Sequence, residues 1–202
     1  MAKIKHTKTE LKAQREALQR FERFLPMLQL KKQQLQAEIQ RVDNELAENQ
    51  KTLDAAEARL ESWVRLFSEP GAETLADQVK VEEIQIDRGN IAGVDIPLFK
   101  GVRFASVQQD LFETPAWHDD GIALLQELIE LRLKHDTLHR QRDAIAEELR
   151  VTSQRVNLFE KVKIPETRDI IRVIKIYLGD EQTAAVVRGK IAKNRTPRDE
   201  AA

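Results

Sequence analysis

Isoleucine or leucine returns at every seventh position through the first third of the chain. The series runs Ile4, Leu11, Leu18, Leu25, then Lys32, then Ile39, Leu46, Leu53, Leu60 and Phe67. A second series lies three residues on: Phe21, Leu28, Leu35, Val42, then Asn49, then Ala56 and Trp63. These are the a and d positions of a heptad, the pattern that keeps one narrow apolar seam on a single face of a helix. Sustained over roughly nine heptads, the pattern predicts a coiled coil. At about 1.5 Å per residue, a helix from Ile4 to Phe67 would be on the order of 95 Å long. A stiff element of that length suits spanning distance or transmitting force.

A narrow seam cannot be hidden by one helix alone, and the chain carries a second. From Gly121 onward Leu124, Leu128, Leu131, His135, Leu138, Arg142, Ile145, Leu149, Thr152, Val156 and Phe159 follow the same 3-4 spacing. The simplest pairing is an antiparallel intramolecular coiled coil of the N- and C-terminal segments. The expected seam therefore comprises Leu11, Leu18, Leu25, Leu28, Leu35, Ile39, Leu46, Leu53 and Leu60 against Leu128, Leu131, Leu138, Ile145, Leu149 and Val156. Near Pro165 the register changes, and Ile170, Ile171, Ile174, Tyr177 and Leu178 make a wider stripe. That stripe could cover Leu11, Leu18 and Phe21 or meet another protein.

Between the helices the period falls from 3.5 to 2. Val79, Val81 and, after a slip, Ile84 and Ile86 alternate with polar residues. Arg88-Gly89-Asn90 reads as a turn, and 91–96 and 98–107 as further short strands, punctuated by Gly93, Pro97 and Gly101. One or two β-hairpins are expected. The chain is thus read as mainly α, with an N-terminal coiled-coil helix over 1–67, a β-hairpin-containing insertion over 68–121, and a C-terminal coiled-coil helix with a basic tail over 122–202. Local signals set the ends. Thr7 with Glu10 forms a potential capping box, Pro26 is expected to bend the first helix without breaking it, and Ser68-Glu69-Pro70-Gly71 to end it. Asp119 and Asp120 suit the start of the second.

Composition excludes several function classes. The chain of 202 residues is 33 % charged and 5 % aromatic, which favours long helices over a thick core. A net charge of −1 makes no general case for nucleic acid. With no cysteine, a disulfide framework and thiolate metal sites are ruled out, and a reducing compartment fits. The basic, polar stretch 1–9 has no apolar core of the kind a secretory signal needs, and no run approaches the ~18 apolar residues of a membrane span. No direct membrane span is expected.

The even charge hides a gradient. Lys3, Lys5 and Lys8 near one terminus and Arg188, Lys190 and Lys193 near the other meet at one end of an antiparallel hairpin, whereas 105–131 carries acids but no Lys or Arg. No catalytic, cofactor-binding or metal constellation stands out. Gly89 and Gly93 are isolated and make no phosphate loop. His135 and His139 have the i, i+4 spacing of two helical ligands but lack a third, so no metal site is assigned. Trp117-His118-Asp119-Asp120 reads as a capped helix start. Lys32, Asn49, His135, Arg142 and Thr152 interrupt the seams, and Lys32 and Arg142 are expected to snorkel outward.

Two local motifs stand out, and in the second Val-Asn and Ile-Pro are not what heptads generate by themselves. Near the N-terminus stand Thr7-Lys8-Thr9-Glu10-Leu11 and a leucine- and lysine-rich turn, Leu28-Gln29-Leu30-Lys31-Lys32-Gln33-Gln34-Leu35. Farther on, Arg155-Val156-Asn157-Leu158-Phe159-Glu160 precedes Ile164-Pro165. With these, the chain resembles the central-stalk D subunits of V-type and A-type rotary ATPases. Thr7, Lys8, Leu11, Arg155, Val156, Asn157, Glu160, Ile164 and Pro165 carry the match, while Gln154 stands where the family usually has a second Arg. The resemblance implies a non-catalytic rotor shaft, without cofactor, of a proton- or sodium-translocating ATPase or ATP synthase. Its implied partners are a catalytic A/B hexamer, the small companion F subunit of the rotor and a membrane-ring adaptor. It would work on the cytoplasmic side of the membrane, and the cations Lys3, Lys5, Lys8, Arg188, Lys190 and Lys193 would face the hexamer. The alternative is a prefoldin-like coiled-coil chaperone, which also joins long helices through β-hairpins.

Overall fold

The computed structural model describes residues 5–64, 79–105 and 117–199, with the side chains of 63 and 195–199 left aside. Helix α1 spans Lys8–Trp63. Strands β1, Val81–Ile91, and β2, Val94–Phe104, form a two-stranded antiparallel sheet. Helix α2 spans His118–Leu158, a π-turn covers Phe159–Lys163, and helix α3 spans Ile164–Asp199. The chain is therefore mainly helical, with one small hairpin between its long helices. The expected helix end at 68–71, the end of the second strand at Val107, and the seam positions Ile4 and Phe67 fall outside the described residues.

Local chemistry explains where the elements start and change. Thr7 is the N-cap of α1: its hydroxyl accepts from the Glu10 amide at 3.2 Å. The Glu10 carboxylate turns to Gln14 instead of completing a capping box. Pro26 lies within α1, which continues unbroken through it. Proline is felt more strongly at 165. It has no N–H to give the carbonyl of Lys161, and the preceding Ile164 N–H bonds the carbonyl of Phe159, five residues back. The wider turn absorbs an extra residue and resets the face that α3 presents, which is the register change in the pattern.

The chain divides into two compact units, Lys31–Val151 and a second formed by Met1–Leu30 with Thr152–Ala202. In the first, α1 and α2 pack antiparallel. Leu35, Val42, Leu46, Leu138 and Ile145 are buried in one cluster, and Leu53, Ala56, Leu124 and Leu128 in another. The hairpin joins the first cluster through Ile96, 2 % exposed, with Ile91, Val94 and Leu98 against it. Gln141 fastens the hairpin to α2 by donating to the Pro97 carbonyl at 2.5 Å.

The hairpin turns at Ala92-Gly93 rather than at Arg88-Gly89-Asn90, which corrects the expected turn. Both central residues have positive φ, 51° and 81°, as a two-residue turn matched to strand twist requires. Asn90 accepts from the Gly93 amide at 3.1 Å and donates to Asp95 at 2.7 Å. Gly89 is a strand residue paired with Ile96. A Cβ there would lie 2.9 Å from Leu98 Cδ1, so its lack of a side chain serves packing. The slip near Val81 is a shift of register between Val81 and Glu83, followed by another between Gln85 and Ile86.

In the other unit, the first part of α1 runs antiparallel to α3. Phe21 and Phe159 meet with ring centroids 5.2 Å apart, His6 stacks on Tyr177 at 4.8 Å, and Arg168 bonds Glu22 at 2.7 Å. Val156, Ile164, Ile171 and Ile174 are buried.

Candidate functional site

Within Lys31–Val151, polar residues punctuate the apolar packing and each has a specific partner. Asn49, 4 % exposed, donates to the Leu131 carbonyl at 3.0 Å. Arg142 bonds Asp43 at 2.6 Å and Lys31 bonds Glu148 at 2.5 Å. Arg59–Glu127 and Arg132–Glu57, at 2.7 and 2.8 Å, flank the second cluster. Such exposed pairs contribute little stability each, but every one links α1 to α2 in the same antiparallel register. The hydrogen bond to Asp43, reinforced by its charge, raises the Arg142 pKa above its ordinary value. The side chain thus points outward to a carboxylate, a better-defined role than snorkelling alone. On the surface of α2, the Arg150 guanidinium hydrogen-bonds Glu147 and holds that carboxyl below its ordinary 4.5.

The seam residues proposed from the sequence fall into two classes. Leu35, Leu46, Leu53, Leu128, Leu138, Ile145 and Val156 are buried. Leu11, Leu18, Leu25, Leu28, Ile39, Leu60, Leu131 and Leu149 are half-buried. His135 and His139 approach at 3.1 Å between their Nε2 atoms, one serving as donor to the other. Among the described residues, no cluster of three or more His, Cys, Asp or Glu has metal-binding geometry.

The motif residues lie at the start of α1 and around the π-turn. Thr7 caps α1, Val156 and Ile164 are buried on either side of the π-turn, Glu160 lies in that turn and Pro165 follows it. Arg155 and Asn157 are exposed beside it. Lys3 lies outside the described residues. Lys5 and Lys8 lie where α1 begins, level with Tyr177. Arg188, Lys190 and Lys193 stand on α3, of which every described side chain from Gly179 to Asn194 is exposed. Arg188 is about 16 Å beyond Tyr177 along the helix axis. Lys175 shares a cleft with Lys8, with Lys12 and Arg15 alongside. Sequence reasoning missed this group; the signal was a lysine three residues before Leu178 on the α3 stripe, opposite Leu11.

Long paired helices with a small hairpin between them, capped at Thr7 and reset at Ile164-Pro165, frame the comparison with known proteins. The model of the ATP synthase D-subunit family matches residues 10–194. The chain belongs to that family. Relatives include the D subunit of the V-type ATP synthase of Borreliella burgdorferi, 44 % identical over 96 % of this chain and 95 % of that protein. The corresponding V-type ATP synthase protein of Chlamydia caviae is 32 % identical over 96 % of this chain and 94 % of its own length. That of Chlamydia pneumoniae is 34 % identical over 95 % and 92 %. As a member of the D-subunit family, the chain is a central-stalk component of a V/A-type ATPase, and the chaperone alternative is not favoured. A stalk role fits a non-catalytic component that works in a complex with other ATPase subunits. Among the described residues no helix is long and apolar enough to cross a membrane.

Proposed function

We propose that this chain is the rotor shaft that transmits torque between a catalytic A/B hexamer and a membrane ion-carrying ring, on the cytoplasmic side of the membrane. The observation that carries the reading is the family match over 10–194 on a chain made of two antiparallel helical pairings. A torque-bearing element needs stiffness along its axis and fixed register between its helices. The buried clusters supply the first, and Asn49–Leu131 with the interhelical ion pairs favours the second.

Two surfaces suit the two classes of partner. In the unit containing the termini, Phe24, Met27, Leu30, Val173 and Ile176 are large apolar side chains left 43–61 % exposed. Together with Lys5, Lys8, Arg188, Lys190 and Lys193 they suit enclosure by a hexamer. In the other unit, Ile84 and Ile86 on β1 are exposed, and among the described residues the two-stranded sheet pairs with no further strand. That hairpin with the helices beneath it suits docking of the small companion F subunit, which leaves the adaptor of the membrane ring to the same sector.

Isolating the native complex through a tag on this chain tests the reading. One copy of the chain with the hexamer, the companion and the adaptor is expected. Replacing 81–106 with a short linker should release the companion and leave the hexamer bound. Recovery of a hexameric particle of this chain holding unfolded clients would favour the chaperone instead.

A further inference from the structure

The unit containing the termini has a cleft of about 440 Å³ between the first turns of α1 and the middle of α3. Its floor is apolar, made by Leu11 and Leu178. Its walls carry Lys8, Lys12, Arg15 and Lys175, and no carboxylate lines it. Among the described residues, Lys12 makes the only ion pair of these four, a 3.9 Å contact with exposed Glu16. Lys175 also lines a neighbouring cleft of about 490 Å³ whose walls include Leu18, Ile176 and Arg172. The two together form a basic groove with apolar sockets.

Gly179 opens this groove. It lies well inside α3, where glycine is the least favourable residue after proline. Nothing lies within 4 Å of where its Cβ would be, and its φ is not in the left-handed region. Neither the fold nor the local backbone calls for glycine there. What its absence of a side chain provides is access to the Leu11–Leu178 floor.

We propose that this groove seats an acidic segment of the catalytic hexamer, with one or two aliphatic side chains entering over Gly179 and carboxylates meeting Lys8, Arg15 and Lys175. The identity of the hexamer as occupant rests on the shaft reading above; the chemistry of the occupant rests on the groove. Charge argues against the chain's own ends. The segment 1–4 carries Lys3 and no acid and would be repelled. Asp199, the last residue of α3, stands about 30 Å beyond Gly179 at the usual helical rise.

Binding of the full-length chain to the purified hexamer, read by a fluorophore on a cysteine introduced at Gln50, tests the proposal. Gly179→Leu fills the groove and should weaken binding about tenfold or more, while the melting temperature stays level or rises. Lys175→Glu should weaken binding by a similar factor, more at low salt than at high, because charges at an interface are screened over about 10 Å at 0.1 M. Gly189→Leu makes the same change one helical stretch farther on and should bind nearly as the wild type. Equal weakening by Gly189→Leu, or undiminished binding by Gly179→Leu, overturns the groove while leaving the shaft reading intact. Failure of the wild-type chain to bind the hexamer at all overturns the shaft reading and the occupant with it. A photo-crosslinking residue at position 182, on the groove wall, should capture a hexamer segment carrying Asp or Glu beside aliphatic residues. Capture of a second copy of this chain, or of a segment without carboxylates, also overturns the proposal.

Discussion

The side-chain amide of Asn49 on α1 donates to the main-chain carbonyl of Leu131 on α2 at 3.0 Å, in a site only 4 % exposed. Its Oδ1 is buried without a hydrogen-bond partner. The bond therefore favours one alignment of the helices while adding little net stability, the usual role of a lone amide in a seam. Asn49→Leu should leave stability unchanged or raise it by about 1 kcal/mol, since it removes a half-satisfied buried group. Register should suffer: spin labels on 45 and 140 should report one distance in the wild type and a broader distribution in the variant. A marked loss of stability with an unchanged distribution would assign Asn49 a packing role instead.

Leu35 and Ile145 are fully buried in the same cluster. Truncating either to alanine should cost about 2–5 kcal/mol, the range for aliphatic core residues that leave a cavity. Leu149, half-buried at the margin of that cluster, tests the seam differently. Leu149→Asp should lower helicity and thermal stability because it sets a carboxylate against the apolar cluster. Denaturant unfolding followed by circular dichroism reads both, and an unchanged midpoint for Leu149→Asp would remove it from the seam.

Ala92 holds a φ of 51° in the hairpin turn, a conformation that costs an alanine about 1 kcal/mol and that asparagine tolerates better. Ala92→Asn should slow amide exchange along β1 and β2. Gly89→Val should speed it, because the new side chain would collide with Leu98. Faster exchange in Ala92→Asn would mean that the turn is held by something other than its backbone preference.

The carboxyl of Glu147 titrates below 4.5 chiefly because Arg150 hydrogen-bonds it. A carboxylate with a depressed folded value contributes stability above the unfolded value and loses it as pH falls through the folded one. The pair's contribution should thus be complete at neutral pH, begin to fall near pH 4.5 and vanish once pH drops below the lower folded value. It should also be small, since both groups face solvent. In Arg150→Ala, the Glu147 midpoint followed by carbon-13 NMR should move up toward 4.5; an unmoved midpoint would locate the cause elsewhere.

Periodicity is a property of neighbours along the chain, so the sequence by itself determined the long helices, the Thr7 cap, the antiparallel partnership of the two seams and the change near Pro165. It also carried the Arg155-Val156-Asn157 and Ile164-Pro165 motifs that pointed to the family. Tertiary structure decided what depends on residues far apart in the chain. Gly89-Asn90 looks like a turn locally, yet pairing with β2 and the space taken by Leu98 make Gly89 a strand residue and move the turn to Ala92-Gly93. Gln141 could become a tether only once Pro97 was brought to it. The basic groove exists because the α1–α3 register sets Lys175 and Gly179 opposite Lys8 and Leu11. A heptad says which face is apolar but not which residue of a distant helix will stand across from it. That choice is made by the summed packing of the whole seam, with Asn49 and the interhelical ion pairs favouring one alignment over its neighbours.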